Sequence, residues 1–592
     1  MDRLRVAAAL VLSFLTLIGV AAAAVAPSGP ATSTGTGGAA ASVETLATQA
    51  AIDALKRGGN AVDAAVTAAG VLGVAEPFSC GLGGGGFMVI YRASDGKVTT
   101  IDGRETAPAA MTPTSFMWDN GKAPAFTTAR YSGMSVGVPG TPATWGEALE
   151  KYGTFSLAQA LAPGIALARN GFVVDQVFHD QIAGNQQAFR DVPSSAALYL
   201  KPDGTALDVG TVFRNPDLAS TYERIAQLGL KGFYRGAVAD AIVNTVQAPP
   251  VTTTATPGWW HPGVMTMRDL HDYVAPERAP THVTYHGADV YSMGPPSSGG
   301  STVGEALNIL EPYNLGTLPR DQALHYYLEA SRYAYADRNQ YLADPDYVNV
   351  PLKGLLSKDY AATRRALITE TAATSPVAPG DPWPYNGGSG SASVNVSSSE
   401  GEPGQTTHLS VVDRNGNAVS YTFTIEQIGG AGMVVPGFGF LLNNELTDFN
   451  FDSTGTANQV EGGKRPRSSM SPTIVLKDGK PFLVLGSPGG ATIITTVLQM
   501  LVNRLDFGMT LPEAIAAPRA SQRNSSSTQA EPAFINTWGA LLGARGQTFS
   551  STPEIGAATG IEFLGAGKVV AAAEPVRRGG GSALVESPSP SP

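Results

Sequence analysis

The sequence predicts a mixed α+β fold whose second half is organised around antiparallel hairpins. Helix-periodic segments dominate residues 42–75 and about 142–370. Short β-branched runs separated by turn residues then appear at 407–413, 417–426, 472–477 and 481–486. There is no internal repeat, so a solenoid or propeller is not indicated.

Taken in order, "MDRLRVAAALVLSFLTLIGVAAAAVAPSGP" places Arg3 and Arg5 before an apolar run and ends in small residues suited to cleavage near Ala22–Ala24. Residues 1–26 are expected to be a signal peptide; the alternative is an uncleaved anchor helix, since the run from Val6 to Ala26 nearly reaches spanning length. Either way the body of the chain is expected outside the cytoplasm, as a periplasmic, cell-surface or extracellular protein. Residues 27–40 read as a flexible linker. Ser42 is the expected N-cap of a first helix that stops at Gly58-Gly59, and "NAVDAAVTAAGVLGV" is a second helix. "CGLGGGGFMVIYRA" is a glycine loop leading into a strand. Residues 376–405 form a low-complexity, flexible segment, and 586–592 a disordered tail.

Composition removes several function classes. The chain has 592 residues, 15% of them charged, with a formal charge of −10. That balance, with no basic run, excludes nucleic acid as the main partner. Cys80 is the single cysteine, so neither an intramolecular disulfide nor a multi-cysteine zinc site can form. The histidines have no metal-ligand spacing, and neither a metal nor a cofactor is expected.

Two motif-like stretches do not carry chemistry. "GLGGGG" at 81–86 lacks the Lys-Ser/Thr of a phosphate loop and runs into a strand. "GMSVG" at 133–137 matches the serine-hydrolase pattern, but Pro139, Gly140 and Pro142 stand where the following helix would run.

The hairpin beginning at Thr406 is different. A Ser/Gly/Glu/Pro segment runs without a spacer into "TTHLSVVDRNGNAVSYTFT". In "DRNGN", Gly416 suits the left-handed position of a three-residue loop, which pairs Asp413 with Asn417 and sets Thr406 opposite Thr424. A two-residue Asn-Gly turn would pair Thr406 with Ile425 instead. The first register places two hydroxyls side by side where the linker ends. A threonine hydroxyl needs a base, and an α-amine, with a pKa near 8, can supply one. That amine exists only if the chain is cut between Gln405 and Thr406. The junction therefore reads as a bond meant to break.

The stretch from Thr406 resembles the processing site of the γ-glutamyltransferases, members of the N-terminal-nucleophile hydrolases. The resemblance runs over about 38–585 and includes "LATQAAIDALKRGGNAVDAAV", "DGRETAPAAM", "GPPSSGG", "YAYADRNQYLADPDYVNVP", "LLNNELTDF", "KRPRSSMSPTIV" and "GSPGGATIITTVLQM". It implies a four-layer αββα sandwich, cleaved by the protein itself into a large chain, 41–405, and a small chain, 406–592.

By the same resemblance, Thr406 is the nucleophile, in self-cleavage and then on the γ-glutamyl carbonyl, and Thr424 orients it. Gly489 and Gly490 form the oxyanion hole, which their place between a strand and a helix independently suits. Arg104 is implied to hold the donor's α-carboxylate, assisted by Ser468 and Ser469. Glu445 and Asp448 are implied to hold its α-ammonium. Family members commonly have asparagine where this chain has Glu426, a third acid at the ammonium end. The segment between Asp448 and Lys464 resembles members without a lid loop. The implied substrates are glutathione and related γ-glutamyl amides, with water, amino acids or dipeptides as acceptors. The alternatives are a glutaryl- or cephalosporin-type acylase on the same scaffold, or an uncleaved, inactive γ-glutamyl-binding homologue.

Overall fold

The structure is a computed structural model and describes residues 31–118, 120–387 and 405–589. Its centre is the hairpin of strands Thr406–Val412 and Ala418–Thr424. The Asp413 N–H donates to Asn417 O at 3.0 Å, the Gly416 N–H donates to Asp413 O, and Gly416 has φ 88°. The bulged three-residue loop is therefore the one adopted, and Thr406 pairs with Thr424. Asp413 locks the loop further by accepting from the Asn415 and Asn417 N–H groups and from the Asn417 side chain.

Strand Gly85–Arg92 pairs with Ala418–Thr424, and Lys97–Gly103 pairs with Gly85–Arg92. On the other side Thr32–Ser42 pairs with Leu409–Val412 and then leads, through Lys568–Ala573 and Thr559–Gly565, to Lys480–Gly486 and Thr473–Lys477. This antiparallel ladder of thirteen strands doubles over on itself. Ser420 Oγ donates to Leu485 O at 3.0 Å, and the Thr473 N–H donates to Ser420 Oγ at 3.0 Å, so the hairpin lies face to face with the later strands.

Alternation along the hairpin sorts its two faces. Leu409, Val411, Val419, Tyr421 and Phe423 pack with helices Thr45–Lys56, Ala61–Ala75 and Leu157–Asn170. The opposite face packs with strand residues Ile474 and Leu483, beyond which lie helices Gly299–Leu310, Arg320–Tyr341 and Thr492–Leu505. The protein is an α+β, four-layer αββα sandwich. The two hydroxyls of Thr406 and Thr424 sit on its inter-sheet face.

The structure corrects several boundaries. Residues 32–40 of the expected linker, with Ala41 and Ser42, are a strand held between three others. Its Gly/Ala/Thr composition serves close packing: a Cβ on Gly35 would stand 2.1 Å from Ser587 O. Ser42 therefore ends a strand, and Glu44 caps the first helix by accepting from the Ala47 N–H. The expected tail at 586–592 is strand as far as Pro588, and the Glu586 carboxylate accepts from the Gly38 N–H. The expected flexible segment 376–405 is ordered to residue 387, where the Val377 N–H donates to Asn524, the Gly380 N–H donates to Asp337, and Trp383 is buried. Residues 388–404 and the signal segment 1–26 lie outside the described residues.

The glycine run at 81–86 supports the hairpin from behind. A Cβ on Gly84 would lie 1.9 Å from Thr424 O, and one on Gly86 would lie 2.4 Å from Thr422 O. Gly84→Ala is therefore expected to destabilise the fold by about 1–3 kcal/mol and to slow events at Thr424. Denaturant unfolding checks this; wild-type stability would contradict it.

Candidate active site

The hairpin register dictates the geometry of the junction. Hydrogen-bonded and non-hydrogen-bonded pairs alternate along an antiparallel ladder. Counting from the hydrogen-bonded Asp413–Asn417 pair makes Thr406–Thr424 a non-hydrogen-bonded pair, the kind whose side chains stand closest. Thr406 Oγ1 donates to Thr424 Oγ1 at 3.3 Å, and Thr424 Oγ1 donates to Gln405 O at 2.9 Å. The Glu426 N–H in turn donates to Thr424 Oγ1 at 2.8 Å. One hydroxyl thus hydrogen-bonds the Gln405 carbonyl while the other lies beside it. Thr406, Thr424 and Gln405 are brought together as a unit.

Below the pair, His408 is fully buried, with Nδ1 2.8 Å from Thr422 Oγ1 and Nε2 3.1 Å from Ser410 Oγ. Burial pushes its pKa down to about 3, so it stays neutral at physiological pH and its role is to lock hydroxyl orientations. A Cβ on Gly486 would fall 2.3 Å from the His408 ring. Strand Lys480–Gly486 therefore ends against strand Thr406–Val412, and Gly489-Gly490 follow before helix Thr492–Leu505. Both glycines have positive φ, 135° and 56°, and both are partly exposed. Glycine is required for that turn.

Arg104 leaves strand Lys97–Gly103 fully buried. Its Nε donates to Pro466 O and Nη2 to Arg467 O, each at 3.1 Å, while the guanidinium pairs with Glu445 and Asp448. These carbonyls come from the residues just before Ser468 and Ser469. The Glu445 side chain is 1% exposed and the Asp448 side chain 33%, so the cluster opens to solvent at Asp448. Burial pushes the Glu445 carboxyl up to about 7, although Arg104 opposes the shift. Burial, with Asp448 and Glu445 facing it, pushes Glu426 well above the ordinary carboxylate range. Glu426 adopts φ 76° and accepts from Asn444 Nδ2 and Gln427 Nε2. The three acids therefore share one electrostatic site with Arg104, directly beyond Thr424. Among the described residues, no group of three or more His, Cys, Asp or Glu could hold a metal ion.

Ser468 and Ser469 are held from the opposite side. Ser468 O accepts from the Ser298 N–H and hydroxyl, and the Met470 N–H donates to Ser468 Oγ. Arg338 Nη2 donates to Ser469 Oγ at 2.7 Å. Arg338 was missed by sequence reasoning, as were Asn444 and Glu105. Asn444 ties the Glu426 carboxylate to the Gln427 N–H. Glu105 is buried with no hydrogen-bond partner on either carboxylate oxygen among the described residues, and burial beside Glu445 pushes its pKa well up. All three lie inside quoted motifs, but only their three-dimensional neighbours reveal a role. Ser135 is structural: its Oγ donates to Arg130 O and Ser132 O.

The segment between Asp448 and Lys464 folds onto itself. Asn458 Nδ2 donates to Asp448 O, Lys464 Nζ donates to Ala457 O, and Phe449, Phe451 and Val460 pack with Phe116 and Met111.

This geometry has relatives. The chain is 41% identical to the glutathione hydrolase proenzyme of Bacillus subtilis (strain 168), over 88% of this chain and 86% of that one. It is 39% identical to the glutathione hydrolase proenzyme of Escherichia coli (strain K12), over 91% and 90% of the two chains. The crystal structure of cephalosporin acylase from Bacillus halodurans superposes with a TM-score of 0.81 at 28% identity, covering 94% of this chain and 97% of that one. Residues 47–584 match the gamma-glutamyltranspeptidase family, a span that takes in the threonine pair, the Arg104 cluster and the glycine turn, and the chain belongs to that family.

Proposed function

We propose that the protein is a self-processing γ-glutamyltransferase and glutathione hydrolase whose nucleophile is Thr406. The observation that carries this is the buried relay at the junction, in which the Thr406 hydroxyl donates to Thr424 and the Thr424 hydroxyl donates to the Gln405 carbonyl.

In processing, Thr406 Oγ1 attacks the Gln405 carbonyl carbon while the Thr424 hydroxyl stabilises the developing oxyanion. Collapse breaks the C–N bond as the Thr406 hydroxyl proton passes to the departing nitrogen, leaving an ester on Thr406 and a free α-amine. Water then cleaves the ester, giving a carboxylate on Gln405 and separating a large chain that ends at Gln405, and carries the strand Thr32–Ser42, from a small chain, 406–592. In turnover the amine takes the Thr406 hydroxyl proton, and Oγ1 attacks the donor's γ-carbonyl. The Gly489 and Gly490 amides stabilise the oxyanion. The proton passes to the leaving amine, and the acyl group passes to water or to an acceptor amine such as an amino acid or dipeptide. No cofactor takes part.

The donor's α-carboxylate and α-ammonium match the mixed charge of the Arg104 cluster. Arg104 with Ser468 and Ser469 takes the carboxylate; Asp448, Glu445 and Glu426 surround the ammonium. Glutathione fits, since its γ-glutamyl group presents both charges. The expected setting is outside the cytoplasm. Among the described residues no helix is long and apolar enough to cross a membrane.

A donor comparison over pH tests the charge assignment. Glu445, raised to about 7, must lose its proton to bind an ammonium tightly. The KM for a γ-glutamyl anilide is therefore expected to fall as pH rises from 5.5 to 7.5, by roughly tenfold if one full charge is gained. The matching glutaryl anilide has no α-amine, so its KM should not fall. Equal turnover of both donors, with the same pH response, would instead identify an acylase.

A further inference from the structure

Thr406 is held from a side that the mechanism above does not use. As a non-hydrogen-bonded partner of Thr424, it points both its N–H and its C=O away from that strand. The strand on the other side, Thr32–Ser42, pairs only as far as Leu409. At Thr406 the edge is taken by a side chain instead: Arg578 Nη1 donates to Thr406 O at 2.7 Å. Arg578 Nη2 donates to Ser79 Oγ at 2.8 Å and lies 3.3 Å from Glu76. Ser79 O accepts from the Ile425 N–H, so one loop braces both strands of the hairpin.

The arginine is built into place. Its backbone has φ 55°, followed by Gly579 and Gly580 at 81° and 88°. Such a conformation in a non-glycine residue persists when the surroundings impose it. The preceding Arg577 is anchored by Glu531 and Glu574, and strand Ser582–Pro588 follows in the central sheet. Gln405 and Arg578 line one cavity of about 510 Å³ with Arg130 and Glu554, which gives water a route to the junction.

We propose that Arg578 is the positioning residue of the nucleophile: it clamps the Thr406 carbonyl through both self-cleavage and turnover, and its fixed charge keeps the released α-amine unprotonated. The inference rests on Thr406 being the nucleophile. The amine is created on the same edge as Arg578, within about 6 Å of its guanidinium given the length of one residue. A cation at that distance disfavours a second one. The other charged or titratable groups around this edge are Glu76, backed by Asp175 and Glu44, then Cys80, Glu554, and, past Gln405, Glu426 and Arg130.

The test is intact mass against time, with the pH profile of kcat at saturating γ-glutamyl anilide, which the effect of Glu445 on KM does not enter, in wild type, Arg578→Gln, Arg578→Lys and Glu76→Gln. Arg578→Gln is expected to cleave at least about tenfold more slowly and to move the acid limb up by about one pH unit. Arg578→Lys should return the limb towards wild type while leaving cleavage slow. Should Arg578→Gln not fold, Glu76→Gln decides, because removing the counter-charge should move the limb down. If wild type cleaves and the Arg578→Gln rate and limb match it, or the Glu76→Gln limb is unmoved, the proposal is overturned while the nucleophile reading stands. A wild type that never cleaves overturns both.

Discussion

Thr406→Ala is expected to remain a single chain and to lose γ-glutamyl-amide hydrolysis by at least about 10⁴-fold, the scale on which removing a nucleophile acts. Its stability should change little. Among the described residues the Thr406 hydroxyl makes one long contact, and alanine keeps the strand register fixed by the Asp413 loop. Thr406→Ser separates the two requirements, since it keeps the hydroxyl and loses the methyl group that restricts its rotamer. Slow cleavage and measurable turnover are expected. Denaturing mass analysis and a chromogenic γ-glutamyl anilide read both quantities. A Thr406→Ala protein that still divides at Gln405 would show that another group performs the cut.

The second large effect belongs to Arg104. This guanidinium neutralises Glu445 and Asp448 and donates to two main-chain carbonyls. Arg104→Gln leaves the buried Glu445 carboxylate without its counter-ion, which costs about 3–5 kcal/mol when one partner of a buried pair is removed. The donor's carboxylate also loses its cation. A fall in kcat/KM of roughly 10³-fold is expected, carried mainly by KM, from losing a buried charge pair of several kcal/mol. Arg104→Lys should rescue little, because one ammonium cannot reproduce a fork that serves Pro466, Arg467, Glu445 and Asp448 together. Denaturant unfolding beside steady-state kinetics checks this. A lysine variant with wild-type kcat/KM would remove Arg104 from donor binding.

Much of the hairpin was legible because its determinants are local. Gly416 in the left-handed position and Asp413 at the loop's start fix the register, and the register alone brings two hydroxyls together. Periodicity likewise marked helix Ala61–Ala75, capped by Asn60 and Asp63. Segments whose composition mimics disorder were misread. Thr32–Ser42 is rich in Gly, Ala and Thr because three strands crowd it, a reason that lies more than 500 residues away at Ser587. The same is true of Glu586, whose carboxylate is spent on the Gly38 N–H.

The Arg104 cluster was legible only through family resemblance. Arg104 is 341 residues from Glu445 and 344 from Asp448, and nothing local distinguishes these residues or Ser468 from surface charges or turn residues. Their burial around one guanidinium is a tertiary fact. The same applies to Arg578, whose significance depends on the strand edge left open at Thr406.

The central claim, that a threonine released by self-cleavage carries the γ-glutamyl group, is tested most directly by rapid-quench mass spectrometry of the purified wild type mixed with donor. Two chains meeting at Gln405 and Thr406 are expected, with the smaller one transiently heavier by one γ-glutamyl group located on Thr406. A single intact chain, or turnover with no acyl group on Thr406 under quench conditions that trap the intermediate, would contradict it.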